Sequence, residues 1–168
     1  MFKNLGGGEF EEIARASGSD EILDTRGVGV ADLDGDGRLD LVLGNNNSAP
    51  TVYRNNWERP GNWLQISLEG SPSNRDAIGA AAKLVLVDGV GGATRTLTRV
   101  VEAGSGFASQ RMFPLHFGLG QASVAKIRII WPNGSVQEFS AEELAALGGA
   151  NQMLYLREGG KFERHSPK

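Results

Sequence analysis

Cysteine is absent from all 168 residues. Disulfides, thiolate metal sites and a cysteine nucleophile are therefore excluded, while the redox compartment stays open. Proline is scarce, at six, and no run of about 18 apolar residues is available to cross a bilayer as a helix. The first residues, MFKNLGGGEFEEIA, lack the apolar stretch and cleavage site of a signal peptide. A basic stripe is missing too: the net charge is −3, which argues against a nucleic-acid partner.

Glycine is what the chain has in excess. Its 24 glycines are about twice the usual share and follow no three-residue period. They separate short apolar runs, which predicts many turns and hence β structure. Strand-like runs occupy 27–32, 39–45, 51–55, 62–70, 79–89, 94–104, 114–120, 124–134, 135–139 and 152–160. Leu64, Ile66 and Leu68 alternate with polar residues, as do Leu84 and Leu86, so each strand has one buried face. Asn133-Gly134 supplies the positive φ angles of a tight hairpin turn, and a second turn is expected over 88–94. One helix is signalled, by Ser140 with Glu143 as a capping box, Leu144 and Leu147 on one face, and Gly148-Gly149 as the stop. The expected fold class is all-β, an antiparallel sandwich or barrel-like module with an appended hairpin and one short helix.

A faint repeat is also present. Phe2-Lys3-Asn4 and Tyr53-Arg54-Asn55 share the order aromatic, basic, asparagine, 51 residues apart. That spacing is near the period of a propeller blade, about 40–50 residues.

The sharpest chemical signal is DLDGDGRLD, residues 32–40. Four carboxylates so close repel one another unless a cation compensates them. Calcium takes roughly six to eight oxygen ligands in flexible geometry. Asp32, Asp34, Asp36 and Asp40 stand at loop positions 1, 3, 5 and 9, Gly37 stands where a sharp turn is needed, and the Arg38 carbonyl falls at position 7. Position 12 is Leu43, not the glutamate of a helix–loop–helix hand, and both flanks are strand-like. A calcium loop within a β-hairpin fits, with a structural ion rather than a catalytic one, since no histidine lies nearby to suit a transition metal. The competing reading is a solvated acidic turn that binds nothing; the spacing, both glycines and the strand flanks favour the ion.

GVGVADLDGDGRLDLVLGNN followed by TVYRNN resembles an FG-GAP (VCBS-type) repeat, the calcium-loop blade of integrin-like propellers. The opening FKNLGGGEFEEIA resembles the phrase that closes a preceding blade. From Asn62 onward, NWLQISLEGSPSNRDAIGA, GSGFASQ, LHFGLG and IRIIWPNGSVQEF resemble the ASPIC/UnbV domain. This resemblance implies a boundary near 58/59, calcium held by Asp32, Asp34, Asp36, the Arg38 carbonyl and Asp40, and an extracellular, cell-surface or periplasmic setting. It also implies an interaction or scaffold role toward an unknown protein or glycan. A propeller needs several blades, so the chain is expected to be a C-terminal piece of a longer protein, with other blades as partners.

Ser105, Ser109, His116 and Asp76 are the residue types of a hydrolase triad, but no G-x-S-x-G elbow carries them, so His116 reads as a structural histidine and the chain as no enzyme. Arg75 and Asp76 suggest an ion pair locking their loop, or alternatively a binding surface. Trp57 and Trp63 are the candidate platforms of a carbohydrate-binding alternative, although core or rim packing is the commoner use of Trp57, Trp63 and Trp131.

Overall fold

The computed structural model describes residues 1–58, 61–89, 92–104, 106 and 114–164. Strand after strand appears where apolar residues alternate. The N-terminal part holds β1 (Phe2–Gly6) paired with β2 (Glu9–Glu12), then β3 (Thr25–Ala31), β4 (Asp40–Asn45) and β5 (Thr51–Tyr53) in one three-stranded sheet. The remainder holds β6 (Asn62–Glu69), β7 (Ala81–Val87), β8 (Thr94–Val100), β9 (Leu115–Gly120), β10 (Ser123–Ile130), β11 (Val136–Ser140), α1 (Ala141–Ala146), β12 (Gln152–Arg157) and β13 (Phe162–Arg164). These form two four-stranded sheets, ordered β11-β10-β7-β8 and β13-β12-β6-β9. The all-β expectation holds. The sheets stay open, so the module is a sandwich and not a closed barrel, and β6 pairs with β12 in parallel where every other pairing is antiparallel.

The core lies between the two four-stranded sheets. Leu64 and Ile66 of β6, Leu84 and Leu86 of β7, Phe117 of β9, Ile127 and Ile129 of β10 and Leu154 of β12 are fully buried there. Period-two alternation explains this directly, because every second side chain of each strand enters the gap between the sheets. Trp131 is buried as well, and its Nε1 donates to Gln137 Oε1 at 2.7 Å.

The turn after β10 departs from the expected geometry. Gly134 has φ +87 but Asn133 is not in the positive region; the Gly134 N–H closes the turn on the Trp131 carbonyl at 2.9 Å, and Asn133 Oδ1 accepts from Ser135 N–H. A wider loop than a two-residue turn lets Asn133 use its side chain as the cap. The strands on either side of 88–94, β7 and β8, pair antiparallel, and residues 90 and 91 lie outside the described residues. The α1 capping box is formed in both directions between Ser140 and Glu143. Three strands had no sequence signal strong enough to place them: β1, β2 and β13 are short, and β1 and β2 are exposed throughout.

The loop 71–76 is held otherwise than by the expected pair. Among the described residues no ion pair joins Arg75 to Asp76, and both are exposed. Neighbours in a tight turn point apart. Glu158 locks the loop instead: its Oε2 accepts the Ser71 and Ser73 N–H groups, each at 2.8 Å, and its Oε1 accepts from Asn133 Nδ2 at 2.7 Å. Burial pushes the Glu158 carboxyl up, but the donors on Ser73, Ser71 and Asn133 outweigh it and hold it below the usual glutamate range. Arg75 and Asp76 line a small surface cleft with Glu69 and Tyr155.

A candidate metal centre in the acidic loop

Strands β3 and β4 run antiparallel in register, with Ala31 opposite Asp40, and the acidic loop is their connection. The loop folds around Asp32. Its Oδ1 accepts the N–H groups of Gly35 at 2.8 Å and Asp36 at 3.1 Å, and its Oδ2 accepts that of Gly37 at 2.9 Å. Asp40 closes the loop from the other side: Oδ2 accepts from Leu33 N–H at 3.0 Å and Oδ1 from Asn55 N–H at 2.8 Å. Short acidic side chains that accept backbone N–H groups two to five residues away favour such turns over a continued ladder.

This wrapping brings three of the expected carboxylates together. Asp32, Asp34 and Asp40 each offer an oxygen, and these oxygens lie within 4.8 Å of one another. Asp36 stands apart from that group. It accepts the Arg38 N–H at 2.8 Å and is paired with the Arg38 guanidinium, and the first of these contacts is the main cause holding its carboxyl below the usual range. Arg54 adds a second guanidinium, 2.6 Å from Asp34 and 3.9 Å from Asp36. Arg38 Nε is buried without a partner among the described residues. Two cationic side chains thus answer the repulsion that the sequence sets up. The donor set itself is hard oxygen, the chemistry of calcium rather than of a transition metal.

The loop also leans on the second half of the chain. Gln65 on β6, only 5% exposed, donates from Nε2 to Asp32 Oδ2 at 3.1 Å. His116 on β9 donates from Nε2 to the Gly37 carbonyl at 2.9 Å and stacks on Trp63, with centroids 6.2 Å apart and planes at 10°. Gly37 has φ +86, and a β-carbon there would fall 1.9 Å from Trp63 Nε1, so the indole lies against the bare α-carbon. Beside these contacts the seam opens into a cleft of about 810 Å³ lined by Val30, Val42, Arg99, Glu102 and Met153 among others.

Sequence reasoning did not foresee Gln65, Arg54 or Asn55 as neighbours of the loop. Arg54 and Asn55 carried a signal, the aromatic–basic–asparagine phrase, and its structural counterpart is plain: Asn4 Oδ1 accepts from Gly6 N–H and Asn55 Oδ1 from Trp57 N–H, the same bond two residues on. Gln65 carried none. His116 is committed to Gly37, and Ser105 and Ser109 lie outside the described residues. Trp63 has its ring covered on the loop side, whereas Trp57 is 66% exposed, against the expectation of core or rim packing, because it follows the last strand of a segment without a core.

A family model described as ASPIC and UnbV matches residues 70–161, more than half of the chain. The chain belongs to the ASPIC/UnbV family. A second model, an FG-GAP-like repeat, matches residues 1–43, so the ASPIC/UnbV module follows an FG-GAP segment in one chain. Curated relatives are cartilage acidic protein 1 of Mus musculus, 31% identical over 150 residues, and of Homo sapiens, 30% identical over 148. Each alignment covers 84% of this chain, but only 22% and 21% of those relatives. The counterpart of Xenopus tropicalis is 32% identical over 126 residues, covering 71% of this chain and 18% of its own length. The ASPIC/UnbV chain therefore spans about a fifth of the relatives it matches. Among its described residues no helix is long and apolar enough to cross a membrane.

Proposed function

We infer that this ASPIC/UnbV chain is a calcium-stabilised, non-enzymatic interaction module of an extracellular protein. Residues 1–58 act as its FG-GAP-type calcium segment and 59–168 as the ASPIC/UnbV domain. The observation that carries the reading is the convergence of Asp32, Asp34 and Asp40, whose oxygens lie within 4.8 Å of one another on a loop closed by its own carboxylates. Asp36 and the Arg38 carbonyl complete the set the sequence implies, with Asp36 exchanging its guanidinium partner for the ion. One divalent cation moves the net charge from −3 to −1. The two-part organisation is supported by strand pairing, since no ladder joins β1–β5 to β6–β13. The extracellular setting and the interaction role are carried over from the family resemblance, and other propeller blades are the partners it favours.

Bound calcium stabilises the native state by RT ln(1 + [L]/Kd), about 2.7 kcal/mol at a hundredfold excess over Kd. The check is a pair of melting curves, in calcium and in EDTA. The midpoint is expected to rise with calcium in the wild type and to lose that increment in Asp34→Ala. Equal midpoints in the wild type would sink the reading. A glycan platform is the second reading, favoured by the exposure of Trp57; it requires glycan-array binding that Trp57→Ala abolishes.

A further inference from the structure

We propose that Gln65, His116 and Trp63 of the ASPIC/UnbV sandwich are positioning residues for the acidic loop, so that cation occupancy and docking of the loop on the sandwich form one coupled equilibrium. The inference rests on the calcium reading above and extends it to side chains outside the loop.

The three residues sit on the paired strands β6 and β9, with Gln65 directly opposite His116 and Trp63 opposite Gly118. They form a small platform on the face of the second sheet opposite the one that Leu64, Ile66 and Phe117 turn to the core. Each reaches a different part of the loop: Gln65 the carboxylate of Asp32, His116 the carbonyl of Gly37, and Trp63 the α-carbon of Gly37. Gln65 donates to the same Asp32 oxygen that accepts the Gly37 N–H. The orientation of the first expected ligand is thus set jointly by the loop and by the sandwich.

Two features make this contact patch more than incidental packing. Gln65 is a polar side chain at a buried position, in a strand whose neighbours Leu64 and Ile66 are wholly buried, and such a group needs a partner. Asp32 is the partner. Moreover the seam beside these contacts is an open cleft that Gln65, His116 and Asp32 themselves line. Groups that hydrogen-bond a ligating carboxylate fix its direction, and removing them costs metal affinity about 10- to 100-fold. Coupling is reciprocal: whatever the platform adds to cation affinity, the cation adds to docking of the loop.

The test uses the full chain. Calcium is titrated calorimetrically into the wild type, Gln65→Leu and His116→Phe, and exchange of the Gly35, Asp36 and Gly37 amides is followed in EDTA by NMR. Gln65→Leu keeps the size of the side chain and removes only the amide, and His116→Phe serves if Gln65→Leu does not fold. Either variant is expected to weaken calcium binding about tenfold and to speed exchange of the three loop amides, while the Ile66 and Leu84 amides exchange as in the wild type. Wild-type affinity together with wild-type loop exchange in the variants overturns the proposal. If the wild type itself shows no calcium heat, the calcium reading fails. The exchange measurement then still decides whether Gln65 and His116 position the loop: faster loop exchange in the variants upholds their role, and equal rates end it.

Discussion

The two halves of the chain are built on opposite principles. Every buried hydrophobic side chain among the described residues falls between Leu64 and Phe162, whereas in residues 1–58 the one buried residue is Asp40, 2% exposed. The sandwich is held by apolar area removed from water between two sheets. The N-terminal segment leaves Phe2, Phe10, Ile22, Val28 and Val52 exposed and organises itself around carboxylates that accept backbone N–H groups. It carries eleven acidic side chains against five basic ones, so its internal charge is a strain that the guanidinium groups of Arg38 and Arg54 relieve. A fold with a core can stand alone; a fold centred on an anion needs something else in contact with it.

The strongest way to break this contrast is to remove apolar groups from both halves. Ile127→Ala opens the sandwich core and should cost about 2–5 kcal/mol. Val28→Ala, at a position 48% exposed on β3, should stay within about 0.5 kcal/mol. Urea denaturation compares them, and similar costs would show that the segment has a core after all.

A smaller effect follows from the buried anion. Asp40→Ala leaves the N–H groups of Leu33 and Asn55 without their acceptor, at a cost of about 1–3 kcal/mol. The loss should be local: limited proteolysis should cut within 27–55 faster, while the urea midpoint of the sandwich stays in place. A fall in that midpoint would mean the halves unfold as one.

The smallest effect is read by pH within the sandwich. Glu158 sits below the usual glutamate range, so its native state binds fewer protons than its unfolded state at mildly acid pH. The stability this contributes is complete above the ordinary glutamate pKa and is lost as pH falls through the lowered native value. Melting of the wild type should therefore lose stability on acidification by more than that of Glu158→Gln, and parallel curves would count against the lock on 71–73.

How much of this was legible in the sequence differed between the halves for the same physical reason. Alternation at Leu64, Ile66 and Leu68 placed β6 within a residue, because burial on one face imposes a period of two. The capping box at Ser140 and Glu143 placed α1, since cap and helix are local. Aspartate spacing located the loop, and oxygens of Asp32, Asp34 and Asp40 lie within 4.8 Å of one another there. The loop's supports were not legible: Gln65 and His116 are 33 and 79 residues from their partners Asp32 and Gly37, and nothing local distinguishes them from any strand residue. Nor was Glu158 as the anchor of Ser71 and Ser73, a bond across 85 to 87 residues. Nor was the pairing of Asp36 with the Arg38 guanidinium, because spacing alone does not show that a side chain two residues on turns back.

The parallel pairing of β6 with β12 bears on the order in which the chain can fold. Leu64 lies opposite Gln152, and Leu68 opposite Leu156, so a central strand of one sheet waits for a partner made 88 residues later. Loop closure over such a span precedes any reward from the contact, which makes the sandwich slow to form. On the ribosome the acidic segment emerges before the sandwich, and the sheet under its loop is finished only when β9 and then β12 have joined β6. Assembly of the acidic loop on its sheet is consequently a late event of biosynthesis, and a chain stopped before residue 152 has the aspartates without the finished sheet.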